Sequence, residues 1–403
     1  MSVTTSHALL CVRSAPRPSI APLLPIMAAV SIAFLIIGVA LPVLPLHVHQ
    51  GLGLSTFMVG LVTGSQFGAA IVSRVWAGQF ADGRGAKRAV VAGLTMAVAA
   101  GLLYLVSLIF TREPWLSVTI LLAGRALLGA AESFIITGGV SWGLVRVGAA
   151  NAGRVIAWVG MAMFAALALG APIGTSVYAA GGFGSVALAT TFVPLLAIVL
   201  VAPLRAVPAA QGKRPGVVRV MRAVWMPGVG SALSSIGFGA MIGFSSLLAA
   251  ERSWSPLWLI FSAFALALAA ARLLFGHLPD RRGGAKVALV SVVIEAAGLA
   301  LIWLATGRIV AGVGAALAGA GYALVYPGLG VEAVNRAPPQ SRGLAMGAYT
   351  VFLDVALGLG SPALGLIAGY AGLGAVFLAS TLTVLCGAVV AALLLRSPQS
   401  AAG

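Results

Sequence analysis

Apolar positions in this chain fall in long unbroken runs, with polar residues gathered into short stretches between them. Twelve runs can be drawn: 22–46, 55–80, 89–110, 116–140, 154–179, 183–203, 226–249, 255–276, 287–306, 309–332, 343–369 and 373–395. Each reaches the roughly 20 residues that a helix needs to cross the hydrocarbon core of a bilayer. Helices that are apolar all round are buried in protein or lipid. The pattern therefore predicts an all-α polytopic membrane protein with twelve transmembrane helices. Gly and Pro recur inside the runs, which a membrane bundle tolerates because neighbouring helices re-satisfy the freed backbone groups.

Composition strengthens this picture. The chain is 61% hydrophobic and 8% charged, against about 25% charged in soluble domains. Its net charge of +16 would suit a nucleic-acid partner if it were clustered on one face, but it alternates with the loops instead. Eighteen Lys and Arg residues, from Arg13 to Arg396, lie in the tails and in one alternating set of loops. The other set holds only Arg112, Arg252 and Arg308. This is the positive-inside asymmetry. It predicts cytoplasmic termini and an inner-membrane location, and excludes a nucleic-acid role. Most Trp residues sit near run ends, as in an interfacial belt. Cys11 and Cys386 have no metal-site spacing. Residues 1–21 lack the order of a signal peptide and read as a cytoplasmic tail.

Two stretches read almost alike. Arg74, Gly78, Asp82, Gly85 and Lys87 return as Arg272, Gly276, Asp280, Gly283 and Lys286. The first four pairs are 198 residues apart. Further on, Gly129, Gly138, Gly153, Gly170 and Pro172 return 190 residues later as Gly319, Gly328, Gly343, Gly360 and Pro362. The drop from 198 to 190 places a deletion of about eight residues between spans 3 and 4 of the second copy. Six spans per copy in equal orientation predict two pseudo-symmetric halves related by an axis along the membrane normal. The expected organisation is an N-terminal half over 22–203, a basic cytoplasmic linker over 204–225, a C-terminal half over 226–395 and a cytoplasmic tail over 396–403. The end of the linker, 217–225, alternates apolar residues with Arg219 and Arg222. It is open between a short interfacial helix and a plain tether.

The segment Gly78-x-Phe80-Ala81-Asp82-x-x-Gly85-x-Lys87-Arg88 resembles the loop 2–3 signature of the major facilitator superfamily, and the resemblance extends over about residues 25–395. Gly38, Pro42 and Pro45 look like the span 1 motif of twelve-span drug/proton antiporters. Leu121, Arg125 and Gly129 resemble the family's span 4 motif. Ala166, Gly170, Pro172 and Gly174 are similar to its span 5 antiporter motif, with Ala in place of the first Gly. The chain looks closest to the arabinose-efflux-permease-like bacterial group. The resemblance implies a secondary transporter working by alternating access. It also implies a cytoplasmic gate built from Gly78, Asp82, Gly85, Lys87 and Arg88 with Gly276, Asp280, Arg281 and Gly283. In such a gate Asp82 meets the span that starts near Gly343, and Asp280 the one near Gly153. Arg74 and Arg272, about two turns deeper, are expected to snorkel toward the same interface.

Four charges fall inside the runs: Arg125, Glu132, Glu295 and Asp354. Each costs about 2.5–3.5 kcal/mol at mid-bilayer on insertion scales, so each is functional or paired. Arg125 and Glu132 are seven apart and share one face of span 4. At about 1.5 Å per residue they lie roughly 10.5 Å apart along the axis, so each is expected to find partners on other helices. Arg125 matches the motif arginine that the resemblance links to proton coupling. Glu132 is the first candidate for the proton site and Asp354 the second. Phe164 stands at the 190-offset position of Asp354, so symmetry does not account for this acid. Glu295, in a peripheral span, is expected to pair with Arg272. Span 1 has no acid, so proton coupling must use span 4 or span 11.

Gly170, Pro172, Gly174, Gly360 and Pro362 are open between close helix packing and helix bending. Gln66, Ser133, Thr137, Tyr322 and Tyr326 are candidate substrate contacts. An apolar cavity with few fixed charges suits an amphiphilic or neutral small molecule. Enzyme motifs such as G-x-S-x-G, H-E-x-x-H and CxxC are missing, and so is a P-loop. The expectation is a monomeric, non-enzymatic transporter in a lipid bilayer, with no metal or organic cofactor and the proton as coupling ion. Export by antiport leads, with proton symport or facilitated uptake as the alternative.

Overall fold

The computed structural model describes residues 23–147, 152–206, 217–337 and 342–396. Those residues are helical throughout, joined by short turns. Helix α1 is Leu24–Ala40, extended by a short turn at Leu44–Leu46 and a wider one at His47–Gly51. Helices α2, α3 and α4 are Thr56–Arg84, Ala86–Ile109 and Pro114–Val147. One continuous stretch, Ala152–Val201, breaks at Gly181 and Gly182; its two arms are α5 and α6. At 50 residues it would span about 75 Å if straight, more than twice the bilayer core. The bend at these glycines, where Gly182 has φ +64°, folds it into two crossings.

In the second half α7 is Val217–Glu251, α8 Leu259–Phe275, α9 Gly284–Leu304, α10 Arg308–Arg336, α11 Arg342–Ala371 and α12 Leu373–Arg396. Ten stretches are long and apolar enough to cross a membrane, and α8 is a shorter apolar helix. The bent stretch counts twice, so twelve crossings result among the described residues. Helices run further than the apolar runs alone suggest: α4 continues to Val147, and α7 begins at Val217. The end of the expected linker is therefore the first turns of α7.

The repeat is visible in contacts. Gly138 packs on Ala86 and Val90, and its counterpart Gly328 packs on Gly284 and Ala288. Gly124 packs on Ala100 and Tyr104, and Gly314 on Gly298 and Ile302. Gly129 lies on the backbone of Gln66, and Gly319 on that of Phe264. In every pair the α4 and α10 residues differ by 190, and their partners on α2 and α3 or on α8 and α9 differ by 198. The same two offsets read from sequence thus describe equivalent three-dimensional contacts. This is the two-half fold.

The repeated turn also has a physical basis. Gly85 and Gly283 have φ of +94° and +91°, a region in which a Cβ is strained. Each ends the helix before it and starts the next.

The halves meet along α2 and α11. Thr56 Oγ1 donates to the Gly365 carbonyl at 2.8 Å. Gly60 lies against Ser361 and Pro362, and Gly64 against Gly358 and Pro362. A Cβ built on Gly64 would stand 2.7 Å from the Gly358 oxygen, so a larger residue would push the helices apart. This glycine seam occupies the face with few Lys and Arg. Such close approach of small residues is how membrane helices gain dispersion contacts without a hydrophobic driving force.

Candidate functional site

The charged residues predicted inside the spans collect on α2, α4 and α11. Gln66 on α2 donates from Nε2 to Glu132 Oε2 on α4 at 2.7 Å. Two turns along α2, Arg74 Nη2 meets Asp354 Oδ2 on α11 at 2.7 Å. Asp354 is 3% exposed and Arg74 20%, so the pair is nearly sealed at the carboxylate and open at the guanidinium. Helix α2 thus holds an acid of its own half through Gln66 and an acid of the other half through Arg74. Arg74 was expected to reach toward the loop; it turns to Asp354 because an unpaired carboxylate at that depth would be far more costly.

Arg125 is fully buried on α4. Its Nε donates to the Val62 carbonyl at 3.3 Å, while Nη1 and Nη2 lack partners. Arg125 and Glu132 thus find their contacts on neighbouring helices, as their axial separation requires.

The counterpart of Arg74 behaves differently. The Arg272 guanidinium on α8 lies 4.6 Å from the ring centre of Phe164 on α5, and so also spans the two halves. Phe164 is the residue that stands where Asp354 stands in the repeat. The expected Glu295–Arg272 pair does not form. Glu295 accepts a hydrogen bond from the Ser234 hydroxyl of α7, and its Oε1 has no partner. Glu295 is 1% exposed and packs beside Gly237 of α7, whereas Arg272 turns across the boundary to Phe164.

Among the candidate substrate contacts, Gln66 is committed to Glu132. Ser133 is buried, bonding Ser73 at 3.1 Å and the Ala70 carbonyl at 3.3 Å, which joins α4 to α2. Thr137 is half-buried. Tyr322 stacks on Phe238 with centroids 5.1 Å apart, and its hydroxyl lies 3.3 Å from Ser235 Oγ. The Tyr326 hydroxyl lies 2.7 Å from Thr350 Oγ1, and its carbonyl accepts from Tyr349 at 2.8 Å.

Close packing is found at the three glycines and at Pro362. Gly170 meets Gly38, joining the span 5 and span 1 motifs, and Gly174 lies on Val39. Gly360 packs on Ile236, the counterpart of Gly38, and Pro362 lies in the seam with α2. Pro172 sits inside α5.

Of the gate residues, Asp82 and Asp280 are exposed at the face rich in Lys and Arg. Gly153 lies within α5, but its side-chain environment, like that of Gly343 in α11, lies outside what is described, and so do the two expected contacts. Gly78 and Gly276 are half-buried, and Arg88 and Arg281 are exposed. Lys87 has a defined partner: its ammonium donates to the Ala202 and Leu204 carbonyls at 2.6 Å. There it satisfies acceptors left over at the end of α6 and meets the negative end of the helix dipole.

Sequence reasoning missed Glu332 of α10. It accepts from the Ala285 amide at 3.0 Å, at the start of α9, and lies 3.8 Å from Arg336. The spacing of four from Arg336 was the available signal. His47, just beyond α1, is buried and stacked on Phe183 at 4.1 Å.

The sequence profile of the Major Facilitator Superfamily matches residues 26–258 and 228–403. An uncharacterized MFS-type transporter of Salmonella typhimurium (strain LT2) is 42% identical over 92% of this chain and 96% of its own length. One from Burkholderia pseudomallei (strain 1106a) is 40% identical over 96% of each. Among solved structures, the nucleoside transporter NupG superposes with a TM-score of 0.73 at 14% identity, covering 93% of this chain and 99% of its own. A bacterial homolog of the human lysosomal transporter Spinster, inward-facing and occupied, gives 0.72 at 16% over 93% and 96%. The human organic anion transporter MFSD10 gives 0.67 at 15% over 92% and 98%. At these identities the structures speak to the fold. The profile match and the bacterial relatives carry the assignment: this chain is a multi-pass membrane protein belonging to the major facilitator superfamily, a family of transporters and not of enzymes.

Proposed function

We propose that the protein exports a small molecule across the cytoplasmic membrane in exchange for protons, as a monomer with both termini inside. The observation that carries the reading is the Arg74–Asp354 pair across the two halves, with Glu132 held by Gln66 two turns along the same helix α2. A proton delivered to Asp354 removes the charge that holds Arg74, so protonation and the fit between the halves are linked. Glu132 is the second acid held by α2 and supplies the step at which proton and substrate compete. Export, rather than uptake, rests on the span 1 and span 5 motifs, whose glycines Gly38 and Gly170 meet in the structure.

The positive-inside rule places the glycine seam of α2 and α11 on the outer side. With that seam packed, the site would be reached from the cytoplasm. Rocking of the halves would then separate Gly60 and Gly64 from α11 and bring the Asp82 and Asp280 loops into contact. A potential of 100 mV supplies about 2.3 kcal/mol per charge moved, roughly 50-fold accumulation at about 1.36 kcal/mol per decade.

The test is proton release when candidate substrates are added to purified protein in weakly buffered detergent. Wild type is compared with Glu132→Gln and Asp354→Asn. Release that is lost in one variant and kept in the other identifies the coupling acid. A ligand that binds wild type and releases no proton overturns antiport, and accumulation driven by the opposite pH gradient in proteoliposomes replaces it with symport.

A further inference from the structure

Arg74 and Arg272 are equivalent residues of the repeat, yet only Arg74 has a carboxylate. Among the described residues Arg272 enters no ion pair, whereas Asp354 is paired with Arg74 and Glu132 accepts from Gln66. Glu295, the nearest acid by sequence expectation, is turned to Ser234. Arg272 is also only half-buried, unlike Arg125, which is sealed. A guanidinium at this depth is costly unless it is paired, and its fork of donors matches a carboxylate. Aromatic surface lies beside it: the Phe164 ring centre is 4.6 Å away.

We propose that Arg272 is the anchor for an anionic substrate: an organic monoanion whose carboxylate binds the guanidinium and whose planar apolar part rests against Phe164. The inference rests on the transporter reading and deepens it by naming the substrate class. The substrate carboxylate takes toward Arg272 the role that Asp354 has toward Arg74. Of the other cations inside the spans, Arg74 is held by Asp354 and Arg125 is sealed within the bundle, so a second charge on the ligand would find no open cation and monoanions are preferred over dianions.

Binding in detergent tests this without any proton gradient, so a failure of proton coupling leaves it standing. The probes are carboxylates paired with neutral isosteres: benzoate with benzamide, and indole-3-acetate with indole-3-acetamide. Affinity is read from the ligand dependence of thermal unfolding at fixed ionic strength. At least one carboxylate is expected to bind at millimolar concentration or tighter, with its amide weaker by about tenfold or more, the loss of one charged hydrogen-bonding partner. R272Q removes this preference. R272K retains part of it, because the charge remains while the planar fork is lost. F164D removes it by a different route, placing a carboxylate beside Arg272 as Asp354 stands beside Arg74. D354N keeps it. If R272Q fails to fold, F164D and R272K still decide the matter. Equal binding of acid and amide, no binding of either carboxylate, or an unchanged preference in F164D overturns the proposal.

Discussion

The two boundaries between the halves are built from equivalent helices and are chemically unlike. Along α2 and α11 glycines bring backbones together and an ion pair crosses at Arg74–Asp354. Along α8 and α5 the same offsets place Trp258 and Ser262 where α2 has Gly60 and Gly64, and Phe164 where α11 has Asp354. There the crossing contact is a cation over a ring. The comparison teaches that duplication preserved the scaffold contacts, such as Gly138–Ala86 and Gly328–Gly284, and let the boundary chemistry diverge. Packing inside a half must be kept in both copies. The boundary is free of that constraint, and one copy holds a charge pair while the other holds a cation over a ring.

Breaking the α2–α11 side is expected to have the largest effect. Gly60→Leu drives a side chain into Ser361 and Pro362, a backbone clash that cannot relax by rotamer change. The cost is about 3 kcal/mol, at the upper end for overpacking. The melting temperature should fall accordingly; an unchanged melting temperature would mean that the seam is not held by this contact.

Asp354→Phe makes the first boundary copy the second. Arg74 then loses its carboxylate, at a cost of about 2–3 kcal/mol, below the full range for a buried pair because its guanidinium is partly exposed. Adding Arg74→Leu should recover most of the melting temperature and none of the transport. Recovery of transport would show that the pair serves only stability.

Gly85→Ala and Gly283→Ala ask whether the two turns remain equivalent. Each forces a Cβ into positive φ, costing roughly 1–2 kcal/mol. Equal shifts in thermal unfolding are expected, and a difference well beyond that range would show that one loop has taken on a separate load.

Phe164→Ala removes the ring beneath Arg272 and should cost about 1 kcal/mol, with proton release unaffected. The smallest effect on stability is Glu132→Gln, under about 1 kcal/mol because an amide oxygen can still accept from Gln66. Loss of more than that in melting experiments would mark Glu132 as a structural acid.

Much of this arrangement was legible beforehand, and the reasons differ by residue. Gly85 and Gly283 were readable as turn formers because the requirement is local backbone geometry. Glu132 and Asp354 stood out because a charge among apolar residues has no cheap bland explanation in a bilayer. Their partners were not readable. Gln66 is one polar residue among several, and Arg74 looked like part of the loop that follows it. Glu295 was assigned to Arg272 from chain neighbourhood, yet Arg272 crosses to Phe164 and Ser234 of α7 takes the acid.

The sequence alone determined the membrane class, the twelve crossings, the doubling and its two offsets. Those follow from hydrophobic run length and from repeated residue types, which are properties of the chain read in order. Only the tertiary structure decided who meets whom across the halves: Arg74 with Asp354 across 280 residues, Arg272 with Phe164, Gly64 with Gly358. Such pairings depend on how whole helices pack and rotate against one another, and nothing in the local sequence of either partner encodes them.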